Sequence, residues 1–162
     1  MNSMAPHNSW VIIATFVAAL ILTLMPLFSW LELLRPEWMT IVLIYWCLAI
    51  PERVGVIVGW SAGIIVDVAT GSLLGQNALE LTLVAFMVIQ FHKRIRLFPV
   101  WQQAITVMLL VLLTHLLTVW INGTINQPTG GLAGWLPAIT TLLLWPPLFM
   151  LLRRIRRYYR IR

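Results

Sequence analysis

Acidic side chains are scarce in this chain. Five Asp and Glu residues stand against eleven Lys and Arg in 162 residues, charged residues of both signs make up 10% and hydrophobic residues 60%. With a mean hydropathy of +0.90, that balance excludes a water-soluble domain and gives an integral membrane protein. Too little polar sequence lies between the apolar stretches to build a second core in water, so a single transmembrane domain over residues 1–162 is expected. Cysteine is nearly absent: Cys47 lies alone in an apolar segment, closes no intramolecular disulfide and reads as a small packing residue. His7, His92 and His115 have no metal-ligand spacing, no nucleophile–base pair is present, and "GSLLG" lacks the lysine of a phosphate-binding loop. No enzymatic activity, metal or cofactor is expected. The N-terminal "MNSMAPHNSW" lacks the positive flank of a cleavable signal peptide, so the first apolar run is expected to stay as a helix.

What is present is long apolar runs. Six spans can be drawn, at 10–28, 36–50, 54–70, 77–91, 101–120 and 135–152, which predicts an all-α bundle of six transmembrane helices. The second and fourth are short: about 15 residues at ~1.5 Å each cover roughly 22 Å of a ~30 Å hydrocarbon core. They need burial among neighbours, tilted partners or a thinned bilayer. The isoelectric point near 10.8 is a matter of topology, with no nucleic-acid footprint. Arg53, the 93–96 cluster and the 153–162 cluster fall on one side of a six-span chain and Arg35 alone on the other, which puts both termini in the cytoplasm.

Punctuation agrees with these boundaries. Pro36 marks a helix start and Pro51 a helix end before the tight turn "PERV". The longest polar loop, "INGTINQPTGGLAG", lies outside between Trp120 and Trp135; its "NGT" is a short match to a glycosylation sequon. Pro146 and Pro147 predict a kink or a broken turn in the last span. No internal repeat is evident, which counts against an inverted-repeat transporter.

Two carboxylates stand in apolar surroundings, Asp67 after "GIIV" and Glu80 before "LTLVAFMVIQF". Gly55, Gly59, Gly63, Asp67, Gly71 and Gly75 recur every fourth residue. A step of four drifts only ~40° around a helix, so Gly55, Gly59 and Gly63 form a seam that admits a close neighbour, with Asp67 at its end. Asp67, Glu80 and His115 each lie roughly 4 to 8 Å below the outer boundary at ~1.5 Å per residue, and could form one polar cluster. Asp67 either receives hydrogen bonds from the start of the next helix, or pairs with Arg35, or marks a proton relay or an outward-facing ligand pocket. For Glu80 the plain reading is a snorkelling interfacial carboxylate, and for His115 a helix–helix hydrogen bond. In "LLRRIRRYYRIR", Arg153, Arg154, Arg156 and Arg157 follow the last span, as an anchor on anionic lipid or as a docking surface for an acidic cytoplasmic partner.

The stretch "RPEWMTIVLIYWCLAIPERVGVIVGWSAGIIVDVATGSLLG" resembles the middle of the MreD family, bacterial rod shape-determining membrane proteins. It has the Arg-Pro-x-Trp, Tyr-Trp, Leu-Ala-x-Pro and Gly-x-x-x-Asp-x-x-x-Gly-Ser-x-Leu-Gly motifs in order. "WQQAITVMLL" and "LWPPLFMLLRRIR" resemble the family's fifth and sixth helices, so the likeness covers essentially the whole chain. It implies a non-catalytic inner-membrane component of the elongation machinery. Its partners would be the bitopic protein MreC and, through it, MreB filaments and RodA with its class B penicillin-binding protein. It also implies a fold similar to the S components of energy-coupling-factor transporters. Arg35, Pro36, Trp38, Asp67, Gly71 and Gly75 match the family pattern; Glu80 and His115 are not among the residues carried over. Two functions follow: a membrane scaffold for MreC, or an S-component-like small-solute binder with Asp67, Glu80 and His115 as its site.

Overall fold

Helix α3 (Trp38–Ala49) is the element around which the rest is arranged. It carries no charge, and every residue from Met39 to Leu48 is buried, as a helix without a polar face must be. Its 12 residues span only ~18 Å, too little to cross a bilayer unaided. Other helices surround it instead, which is how the chain accommodates its short second apolar run. Ile41, Leu43, Trp46 and Cys47 are fully covered, and the Trp46 indole N–H donates to Thr15 Oγ1 at 2.8 Å.

The computed structural model describes residues 9–161. His7, Arg162 and most of the N-terminal segment discussed above lie outside the described residues. Around α3 stand α1 (Ser9–Leu24), the one-turn α2 (Ser29–Glu32), α4 (Val56–Thr70), α5 (Gln76–Leu97), α6 (Val100–Thr124) and α7 (Leu136–Tyr158), with a 3-10 turn at Gly131–Trp135. Among the described residues every regular element is thus helical. By length and composition, α6 and the stretch Gly131–Tyr158 are each able to cross a membrane; α1, α3 and α4 are shorter apolar helices.

Several boundaries move from those expected, each for a local reason. The first helix ends at Leu24, not 28, because Pro26 disfavours helical backbone at the residue before it and lacks an N–H. The fourth runs on to Leu97, since no breaker intervenes before Pro99. Pro36 precedes α3 by two positions, the N-cap being Glu37. No broken turn occurs at Pro146 and Pro147: both lie inside a continuous α7. Trp145, immediately before them, is wholly buried, and packing of this kind carries a helix past missing backbone bonds.

The ends of α3, α5 and α7 meet at one pole, where Ala49, Pro51, His92, Arg96, Arg156 and Ile161 border a common recess. At the other pole the end of α1, the start of α3 and the start of α5 meet around Thr23, Arg35, Glu37, Asn77 and Glu80. Two arginines fasten helix ends at these poles. Arg35 donates to the carbonyls of Thr23 and Met25, both at 2.6 Å, closing the C-terminus of α1. Arg96 donates to the carbonyls of Leu48 and Ala49, closing α3. Terminal carbonyls lack intrahelical partners and carry partial negative charge, so a guanidinium satisfies both needs. Removing it should cost about 2 kcal/mol. Arg35→Ala is therefore expected to lower the thermal unfolding midpoint in detergent, with Arg35→Lys recovering only part, because an ammonium lacks the rigid planar fork that reaches both carbonyls.

The polypeptide after α7 is shaped, not trailing. Arg160 has φ +48°. Ile161 N–H returns to the Arg156 carbonyl at 3.1 Å and Arg160 N–H to that of Arg157 at 3.2 Å. This is a Schellman turn. It folds Ile161 back into the buried core.

Candidate functional site

Asp67 occupies the last turn of α4 and is 1% exposed. Its carboxylate accepts hydrogen bonds from Ser72 Oγ at 2.8 Å, Gly75 N at 2.9 Å, Asn77 N at 3.0 Å, Asn77 Nδ2 at 2.9 Å and Ala78 N at 3.3 Å. The backbone donors are the N-cap and first-turn N–H groups of α5, which no carbonyl of its own helix can satisfy. A carboxylate from the preceding helix thus does the work of an N-cap residue, with its charge at the positive end of the α5 dipole. The turn can close this tightly because Gly71 and Gly75 have φ of +68° and +99°, a region that side-chain-bearing residues avoid.

The glycine seam sets the approach that makes these bonds possible. A Cβ on Gly63 would lie 2.3 Å from Ala78 Cα and 2.5 Å from Ala78 N, and one on Gly59 2.9 Å from the Leu81 carbonyl. On Gly55 it would meet Ile89 at an ordinary 3.5 Å. The seam therefore seats α5 of the same chain on α4, tightest beside Asp67.

Arg35 does not pair with Asp67. Its ion-pair partner is Glu32, at 3.7 Å, and its other bonds go to α1. Glu80 does not snorkel: it is half-buried and accepts from the Thr118 hydroxyl of α6. His115 makes no helix–helix hydrogen bond through Nε2, which is buried without a partner. Its imidazole instead lies under the 3-10 turn, edge-on to Trp135 with centroids 4.8 Å apart. A Cβ on Gly134 would be 2.5 Å from its Cε1. Trp135 therefore packs on this ring, while Trp120 at the end of the loop's other flank is exposed.

The expected three-residue cluster is thus only partly assembled. Glu80 and His115 border one cavity of about 200 Å³ together with Glu37, Asn77 and Thr114. Asp67 lies behind Asn77, saturated by its own turn. Glu37 was missed from the sequence, although an acid directly after Pro36 in a predicted first turn was a usable signal. The roles of Arg96 and Thr118 depend on which helices meet and had no local signature. Among the described residues, no group of three or more His, Cys, Asp and Glu side chains could hold a metal ion.

The arrangement defines an all-helical membrane protein whose buried polar groups fasten turns and helix ends. The sequence profile of the family described as rod shape-determining protein MreD matches residues 4–155, and the chain belongs to that family. The rod shape-determining protein MreD of Haemophilus influenzae is 34% identical over 148 residues, 90% of each chain. No solved structure matches. Its family is non-enzymatic and serves in maintaining cell shape.

Proposed function

We propose that the protein is a membrane scaffold of the rod complex that holds MreC and, through it, supports cell-wall elongation by MreB, RodA and a class B penicillin-binding protein. On this reading residues 1–162 form one bundle of six membrane spans in the bacterial inner membrane with both termini cytoplasmic. The ten-to-one split of basic residues supports that orientation. The observation that carries the scaffold reading is an apolar crevice of about 360 Å³ between α5 and α6, bordered by Met87, Phe91, Leu109 and Leu113. Leu109 is 57% exposed. A single transmembrane helix fits such a surface, as helices in lipid associate by close apolar packing.

A photo-crosslinking residue at Leu109 or Leu113, activated in native membranes, tests it. The expected product is an adduct with a bitopic MreC-like protein, lost when Leu109→Trp fills the crevice. Adducts with an ATPase-coupled membrane subunit instead would make this an S-component-like solute binder. Against that alternative stands the cavity beside Glu80 and His115, whose 200 Å³ is below the ~300 Å³ from which small-molecule pockets usually start.

A further inference from the structure

At the pole where α3, α5 and α7 end, a second crevice of about 360 Å³ opens between those helices and α6. Arg96, Arg153, Arg156 and Arg157 border it, and among the described residues no carboxylate does. Glu52 lies in the adjoining recess that shares Arg96 and Arg156. The ion pair between Arg35 and Glu32 is at the other pole, and among the described residues none joins a carboxylate to this cluster. Arg156 is half-buried and the other three are exposed; like charges brought together in this way repel unless an anion joins them.

The deep wall of the crevice is polar in a way the fold does not use. Tyr45 borders it and is 2% exposed; its hydroxyl oxygen faces the Arg156 guanidinium, a donor, and its hydrogen finds no acceptor. The charges acting on that hydroxyl are those of Arg156, Arg153 and Arg157, which are donors and offer its hydrogen nothing to bind. Gln103, 5% exposed, spends its amide N–H groups on the carbonyls of Ile95 and Phe98, and its Oε1 is unpartnered. A buried hydroxyl without an acceptor is costly. The Schellman turn after α7 fixes Arg156 and Arg157 through their carbonyls, so the arginines border the crevice as parts of an ordered helix end.

We propose that this crevice is a binding site for the phosphate group of an anionic membrane phospholipid, held by Arg96, Arg153, Arg156 and Arg157 with the Tyr45 hydroxyl donating to a phosphate oxygen. Guanidinium forks match phosphate oxygens. Leu48 and Phe149 give the crevice apolar walls beside the arginines, as a headgroup joined to acyl chains requires. The leaflet is the cytoplasmic one, where basic pockets between helices meet acidic headgroups; only this naming of the leaflet rests on the orientation proposed above.

The test uses the full chain in detergent, titrated with phosphatidylglycerol, phosphatidylcholine or inorganic phosphate. Thermal midpoint and lipid adducts by native mass spectrometry are the readouts. Phosphatidylglycerol is expected to bind saturably and raise the midpoint, and phosphatidylcholine not to. Arg156→Gln should weaken binding about fivefold or more. Arg154→Gln, an equal charge loss on an exposed residue that does not border the crevice, should change it less than about twofold. Tyr45→Phe keeps every charge and nearly all the volume, and should weaken binding about fivefold. Equal effects of Arg154→Gln and Arg156→Gln, or none of Tyr45→Phe, would reduce the cluster to diffuse surface attraction and overturn the site. Inorganic phosphate protecting as well as the lipid would overturn the lipid assignment. Midpoints measured without lipid show whether a variant has merely unfolded, and lipid binding that persists without MreC adducts would sink the scaffold reading alone.

Discussion

Asp67→Ala is expected to destabilise the protein by about 4 kcal/mol, a large part of the ~5–15 kcal/mol that usually separates folded from unfolded chains. The substitution removes the acceptor for Ser72, Gly75, Asn77 and Ala78 together, and a methyl group at a 1% exposed position replaces none of those bonds. Buried donors left without partners each cost about 1–3 kcal/mol, moderated where water reaches the opened turn. Asp67→Asn keeps the shape and one acceptor oxygen but turns an amide N–H₂ toward other donors. It should lose roughly half as much. Thermal unfolding in detergent and the level of protein accumulating in membranes both measure this. The Arg35 bonds to Thr23, Met25 and Glu32 share no partner with those of Asp67. Arg35→Ala and Asp67→Ala should therefore add within about 0.5 kcal/mol. A strong coupling between them would show an ion pair that the structure lacks.

The Asp67 turn also shows what could be read before any coordinates. Spacing put Asp67 at the end of a glycine seam and in reach of "GSLLGQN", and local geometry determines nearly everything about that turn: φ-permissive Gly71 and Gly75, a carboxylate, and free N–H groups. Short-range information was enough there. Its rival reading, a pair with Arg35, joined residues far apart in sequence and failed because Arg35 found unsatisfied carbonyls nearer along the chain. Glu80 and His115 show the same limit. Whether Glu80 faces lipid or the Thr118 hydroxyl depends on the rotation of α5 against α6, which an apolar run seen all round does not encode. The burial of α3 was one of three ways open to a run too short to span, beside tilted partners and a thinned bilayer. The extension of α5 to Leu97 was less legible, since the basic stretch read as a cytoplasmic flank also forms good helix.

Gly63→Ala should cost about 3 kcal/mol, against about 1.5 for Gly59→Ala and less than about 0.5 for Gly55→Ala. The order follows the space available to a new Cβ: 2.3 Å from Ala78 Cα, 2.9 Å from the Leu81 carbonyl oxygen, and 3.5 Å from the flexible end of Ile89. At Gly63 and Gly59 the nearest atoms are backbone, so α5 as a whole must move. In an open helix the same change would be favourable by up to about 1 kcal/mol. A destabilising sign at Gly63 therefore measures helix contact directly. Displacing α5 there also draws Ala78 and Asn77 away from the Asp67 carboxylate, because the Ala78 N–H that donates to Asp67 belongs to the residue Gly63 touches. Gly63→Ala and Asp67→Ala should consequently be less than additive by about 1 kcal/mol or more. Unfolding midpoints of the three glycine variants, and of the double variant, decide it. Equal midpoints across the series would mean that α4 and α5 separate freely and that the seam serves another helix; full additivity would mean that the turn and the seam are held independently.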